Sequence, residues 1–162
     1  MPRSLRDALA RAAERVAPDM DAQNVANILN AYSKLAEAAA EMSPTLQRAL
    51  AEAAERVASD MDAQNVANTL DAYSKLAEAA AEMSPSLRGA LAAAAERVAP
   101  NMNAQDVANT LCAYSKLEEA AAEMPRSLRG ALAEVAKRAT PDMTAQGVRM
   151  TRRACDLLKI EI

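Results

Sequence analysis

Residues 61–76 read MDAQNVANTLDAYSKL, while residues 20–35 read MDAQNVANILNAYSKL and residues 102–117 read MNAQDVANTLCAYSKL. The spacing is regular: Gln23, Gln64, Gln105 and Gln146 lie 41 residues apart, as do Met1, Met42, Met83 and Met124. A fixed period of this size marks a repeat architecture, in which each unit buries its apolar face by stacking on its neighbours. Residues 1–162 therefore read as one domain of repeats 1–41, 42–82, 83–123 and 124–162. The expected fold class is all-α, a right-handed α-solenoid of four tandem helical hairpins.

Each unit divides into two helices. Ser43 offers a cap and Pro44 takes the first helical position, where its missing N–H costs nothing, so a first helix is expected to run to about Ala58. Its apolar stripe is Leu5, Leu9, Ala12 and Val16 in the first unit and Leu87, Leu91, Ala94 and Val98 in the third, one face at helical spacing. On its outer side Arg48, Glu52 and Arg56 stand four residues apart and read as surface ion pairs. The turn that follows ends on Asp21, Asp62, Asn103 or Thr144, each able to cap a second helix. Met20, Met61, Met102 and Met143 precede those caps and are placed to fold back on Val25, Val66, Val107 and Val148 as staples. Nothing in KLAEAAAEM breaks a helix, so the second helix is expected to continue to about Met42, with a break after Leu35 and a short third helix as the alternative.

At about 100° per residue, Val25, Ile28, Leu29, Tyr32 and Ala36 form the core stripe of the second helix. Opposite lie Gln23, Asn27, Asn30 and Lys34, then Gln64, Asn68, Asp71 and Lys75, then Gln105, Asn109, Cys112 and Lys116. Ala26 and Ala31 sit between the faces, small enough for neighbouring helices to approach. The polar line has two open readings, a solvated face or a ligand-contacting one. Repeated Asn favours a task, because Asn is a poorer helix former than the Glu, Lys or Arg that solubility alone would select. Asn30, Asp71, Cys112 and Arg153 occupy the position that differs in every unit, and they read either as a ladder of ligand contacts, one per repeat, or as drift at a free site. Tyr32, Tyr73 and Tyr114 are assigned to the core rather than to base stacking, with each hydroxyl reaching an edge. Cys112 is expected to be a surface thiol of ordinary pKa.

Glu37, Glu41, Glu78, Glu82, Glu119 and Glu123 would continue the polar line along an unbroken second helix. The fourth unit departs from the others, with Arg149 replacing Ala and Arg152 replacing Leu, and reads as a C-terminal cap more readily than as a basic ligand site.

Composition narrows the function. The 51% hydrophobic and 25% charged chain can bury a core, yet its aromatic content is 2% with no Phe or Trp, so small Ala-rich helices must pack closely. With no His and three glycines, most catalytic templates and phosphate loops cannot be assembled, and two unpaired cysteines give no zinc knuckle. The protein is expected to be non-enzymatic, without cofactor or metal. Charge is uneven: residues 1–124 carry 11 basic against 18 acidic side chains, residues 125–162 carry 8 against 4, and the net is −3. No apolar run spans a membrane and no targeting segment is evident, which points to a soluble intracellular protein.

The string AQ-x-V-A-N-x-L-x-A-Y-S-K-L resembles the second helix of octotricopeptide repeats, in three units and fading in the fourth. It is also similar to the SKWP-type repeats of plant-pathogen effectors, which share the Asn-Ala-x-Ser-Lys wording of Asn30, Ala31, Ser33 and Lys34. The first resemblance implies a helical-hairpin solenoid that binds single-stranded RNA in organelles; the second implies a protein-interaction scaffold. Either way, the residues expected to meet the ligand are the polar line named above with Arg149 and Arg153, on the concave face of the second helices.

Overall fold

The computed structural model describes residues 2–35 and 39–162, and every regular element among them is helical. The first helices are α1 (Arg3–Val16), α3 (Pro44–Val57), α6 (Pro85–Val98) and α9 (Arg126–Ala139). The second helices are α2 (Ala22–Lys34), α4 (Ala63–Tyr73), α7 (Ala104–Tyr114) and α10 (Ala145–Leu158). Short helices α5 (Ala77–Ala81) and α8 (Glu118–Ala122) follow α4 and α7.

The starts form as the caps dictate. Ser43 and Ser84 accept from Leu46 and Leu87 N–H at 3.1 and 3.0 Å, while Asp21, Asp62 and Thr144 accept from Asn24, Asn65 and Gly147 N–H at 2.7, 2.7 and 3.0 Å. Asn103 accepts from Gln105 and Asp106 N–H, and the Asp106 side chain returns a bond to Asn103 N–H, completing a capping box. Met20, Met61 and Met102 are buried and Met143 is half-buried, each beside its cap.

The ends do not form as expected. Instead of running on to Met42 and its counterparts, the second helices stop at Lys34, Tyr73 and Tyr114, and the break seen is the alternative reading. The hydroxyls of Ser33, Ser74 and Ser115 donate to the carbonyls three residues back, at 2.9, 2.8 and 2.8 Å, which competes with continuation of the helix. Leaving the helical path there buries Leu76 and Leu117 and lays α5 against α3. Ala36 and Glu37, assigned to the first unit's core stripe and polar line, lie outside the described residues, as does Met1.

Each first helix packs on the next (α1 on α3, α3 on α6, α6 on α9), and so do the second helices (α2 on α4, α4 on α7, α7 on α10). The backbones of α2 and α3, of α4 and α6, and of α7 and α9 also approach closely, so a second helix lies nearer the following unit's first helix than its own. The core is therefore built largely across unit boundaries.

That placement decides the fate of the first apolar stripe. Leu46, Leu50 and Val57 are 0%, 1% and 4% exposed, whereas Leu5, Leu9 and Val16, the same positions one unit earlier, are 47%, 50% and 45% exposed. The expectation that Leu5, Leu9 and Val16 form core is corrected: among the described residues no second helix precedes α1. Nor does Arg56 pair with Glu52; its guanidinium donates across the boundary to the carbonyls of Ala17 and Met20 at 3.1 and 2.9 Å. Arg97 repeats the contact on Ala58 and Met61, and Arg138 on Pro100 and Met102.

Tyr73 and Tyr114 are buried in the core, as assigned, and Tyr32 is half-buried. The hydroxyls of Tyr73 and Tyr114 do not reach an edge: both are buried without a hydrogen-bond partner among the described residues. A buried orphan hydroxyl is unfavourable, so Tyr73→Phe is expected to stabilise the chain by up to about 1 kcal/mol, read as a higher urea midpoint at unchanged slope.

Candidate functional site

The polar line of the second helices faces away from the first helices, and stacking of α2, α4, α7 and α10 sets the four lines side by side. Gln23, Asn27, Lys34, Gln64, Lys75, Gln105, Lys116, Gln146, Arg149 and Arg153 are exposed. Asn30, Asn68, Asp71 and Asn109 are half-buried. On the helical wheel, Ala26 and Leu29 flank one side of this line and Ile28, Ala31 and Leu35 the other. The variable position leans toward the Ala26 side.

That lean explains the one site residue that fails. Cys112 is only 8% exposed rather than a surface thiol, and burial pushes its pKa up, with Lys116 partly offsetting this and Asp71 adding to it. Asn30, Asp71, Cys112 and Arg153 therefore do not form a uniformly accessible ladder, and Cys112 leaves the contact set. Cys155, in the tyrosine position, is also buried, and burial raises its pKa to about 11, with Asp156 and then Cys112 contributing. Both thiols are expected to resist a disulfide reagent at pH 8 in the native chain and to react fully in denaturant; fast native reaction of either would contradict the burial.

Charge on the face is sparse and positive. Lys34, Lys116, Arg149 and Arg153 are exposed cations, while Lys75 donates to the Asp71 carboxylate one turn away. Gln105 donates to Asn109 at 3.1 Å, which orients one amide pair. The acidic residues described after α4 and α7 do not continue the line, because those helices end at Tyr73 and Tyr114. Glu41 pairs with Arg6 at 2.9 Å, and Glu119 and Glu123 pair with Arg88 at 2.7 and 2.8 Å. Arg6 and Arg88 hold the carboxyls of Glu41 and Glu123 below the usual range. The carboxylates of these pairs are exposed, so the pairs contribute little stability; their effect is to keep the carboxylates engaged elsewhere.

Between the starts of α7 and α10 lies an open groove of about 860 Å³ that brings together Gln105, Asn109, Gln146, Met150 and Arg138. Arg138 was not among the residues singled out from the sequence. The signal that finds it is the recurrence of Arg at 15, 56, 97 and 138. No described helix is long and apolar enough to cross a membrane. No family model or curated protein matches the chain. What the face does must be argued from its own chemistry.

Proposed function

We propose that the chain is a non-enzymatic binding module, a right-handed α-solenoid of four tandem units at a 41-residue period whose second helices take single-stranded RNA along their concave, amide-rich face. The observation that carries this reading is a cation on each of the adjacent second helices, Lys34, Lys75 and Lys116 in units 1 to 3 and both Arg149 and Arg153 in unit 4, beside Gln and Asn and inside a chain of net charge −3. Stacked helices lie about 8–10 Å apart, and helical repeats that read one base per unit use this kind of arrangement. The octotricopeptide resemblance of the second helix supports the same ligand and an organellar, intracellular setting. An acidic body, −7 over residues 1–124, favours a second reading as a protein-interaction scaffold.

Selection from a random RNA pool, followed by salt titration of the winner, tests the RNA reading. Four cations without a carboxylate partner, at about 0.7 each, give an expected slope of log K on log salt of about −3. Failure to enrich any RNA, or a flat salt response, removes it. Asp71→Asn frees Lys75, so it is expected to tighten binding, steepen the slope by about 0.7 and alter preference at a single nucleotide. A partner protein captured by the chain and lost on substitution of Lys34, Lys75 and Lys116 would favour the scaffold reading.

A further inference from the structure

The two ends of the array are built differently. On units 2 to 4 the side facing the preceding unit is closed, and on unit 1 the same side chains are open. Besides Leu5, Leu9 and Val16, Ala31 is exposed where Ala72 and Ala113 are buried, Tyr32 is half-buried where Tyr73 and Tyr114 are covered, and Leu35 is 50% exposed where Leu76 is 5%. Ile28 stands half-buried where the later units carry buried Thr69, Thr110 and Thr151, so this end is more apolar than the internal interfaces it copies. An end whose only neighbour is water would carry polar replacements.

The opposite end does carry them. The side that covers a following unit is made by Ala26 and Leu29, Ala67 and Leu70, or Ala108 and Leu111, all buried, and unit 4 replaces that pair with exposed Arg149 and Arg152. Glu14, Glu55 and Glu96 accept hydroxyl bonds from Ser43, Ser86 and Ser127 of the next unit at 2.5, 2.6 and 2.9 Å, and unit 4 has Lys137 at that position. The open N-terminal face itself carries exposed Arg15, whose counterparts Arg56, Arg97 and Arg138 all reach across the preceding boundary. Two copies of this chain meeting head to tail would bring like charges together, which costs several kcal/mol and selects against self-assembly.

We propose that the open N-terminal face is a docking surface for an uncapped unit of the same repeat. Its occupant is defined by continuity with the three internal interfaces: a second helix presenting Ala and Leu three residues apart, a Glu for Ser4, and turn carbonyls for Arg15. Arg15 has no such acceptor among the described residues, whereas Arg56, Arg97 and Arg138 each find two. The terminal arginines and Lys137 keep the chain's own end from taking that place. This docking shares only Arg149, on the capped end, with the amide-rich face of the second helices.

The test converts the chain's own end into the probe. In the full-length variant Arg149→Ala/Arg152→Leu, unit 4 presents the same Ala and Leu pair as units 1 to 3. Analytical ultracentrifugation is expected to find the unaltered chain monomeric and the variant in open-ended oligomers, at least doubling the average mass at about 100 μM, because a heterologous contact need not close. Adding unaltered chain should shorten them, since it can dock but offers no open end. Adding Leu5→Asp/Leu9→Asp to the variant should return it to monomer. Far-UV circular dichroism checks that each variant is folded, and single Arg152→Leu carries the same comparison if the double variant is not. A folded, monomeric open-ended variant would overturn the proposal. So would dimers of the unaltered chain that vanish with Leu5→Asp/Leu9→Asp, which would assign the face to a second copy.

Discussion

Arginine in place of Leu70 is expected to abolish the single cooperative unfolding transition of the chain. Leu70 is 1% exposed and lies on the side of α4 that α7 covers, with Leu29 and Leu111 equally buried one unit either way. Loss of a buried leucine costs about 2–5 kcal/mol. A guanidinium in its place adds several more, because a buried charge keeps its desolvation penalty. Against the 5–15 kcal/mol typical of a whole domain, the sum separates units 1 and 2 from units 3 and 4, since stability in such arrays resides in nearest-neighbour interfaces. The same arginine is tolerated at Arg152, one unit beyond Leu111, because nothing covers it there. A urea titration followed by circular dichroism reads the outcome. A loss below about 2 kcal/mol with one sharp transition would mean that α4 and α7 are held together by something other than this packing.

The contrast between Leu70 and Arg152 also shows what could be read from the letters. Helix starts were legible because their causes are local: Ser43 and Ser84, or Asp21, Asp62, Asn103 and Thr144, bond to N–H groups two or three residues on. The inward face of Leu29, Leu70 and Leu111 was legible because its cause is a period. Helix ends were not. KLAEAAAEM is a good helix former throughout, and what stops α4 is burial of Leu76, a gain that exists only once neighbouring units are in place. Leu5 and Leu46 carry the same letter at the same register, yet one is exposed and one buried, because burial here belongs to position in the array. Arg56 was misread for a related reason: Glu52 is near in sequence, whereas the carbonyls of Ala17 and Met20 are near only after stacking.

The candidate face was legible as a line of residues but not as a surface. Its composition follows from the wheel, and nine of the fourteen residues assigned to it are exposed. The lean of position 112 toward the next helix, which buries Cys112, is a matter of some tens of degrees that a wheel blurs. The removal of Glu119 and Glu123 from the line depended on the same unread helix end.

Charge reversal of Lys34, Lys75 and Lys116 to Glu is expected to weaken RNA binding by about 100-fold or more while leaving the fold intact. The three ammonium groups are exposed, and surface substitutions of this kind stay within about 0.5 kcal/mol of stability. A cation beside an anionic surface contributes about 1 kcal/mol, so Lys34 and Lys116 account for about 2 kcal/mol, or about 30-fold in affinity, Lys75 being already paired with Asp71. Reversal adds repulsion, most strongly at position 75, where the new carboxylate would stand one turn from Asp71. The salt slope should fall to about −1.4, the share of Arg149 and Arg153 alone. Substitution by Gln instead separates the two causes, since it removes attraction without adding repulsion and should cost less than Glu at every salt concentration. If affinity and slope both survive the Glu triple variant, the nucleic acid lies off the second helices and the amide line reverts to a solvated face. If affinity falls but the slope does not, the lysines shape the surface rather than meet phosphates.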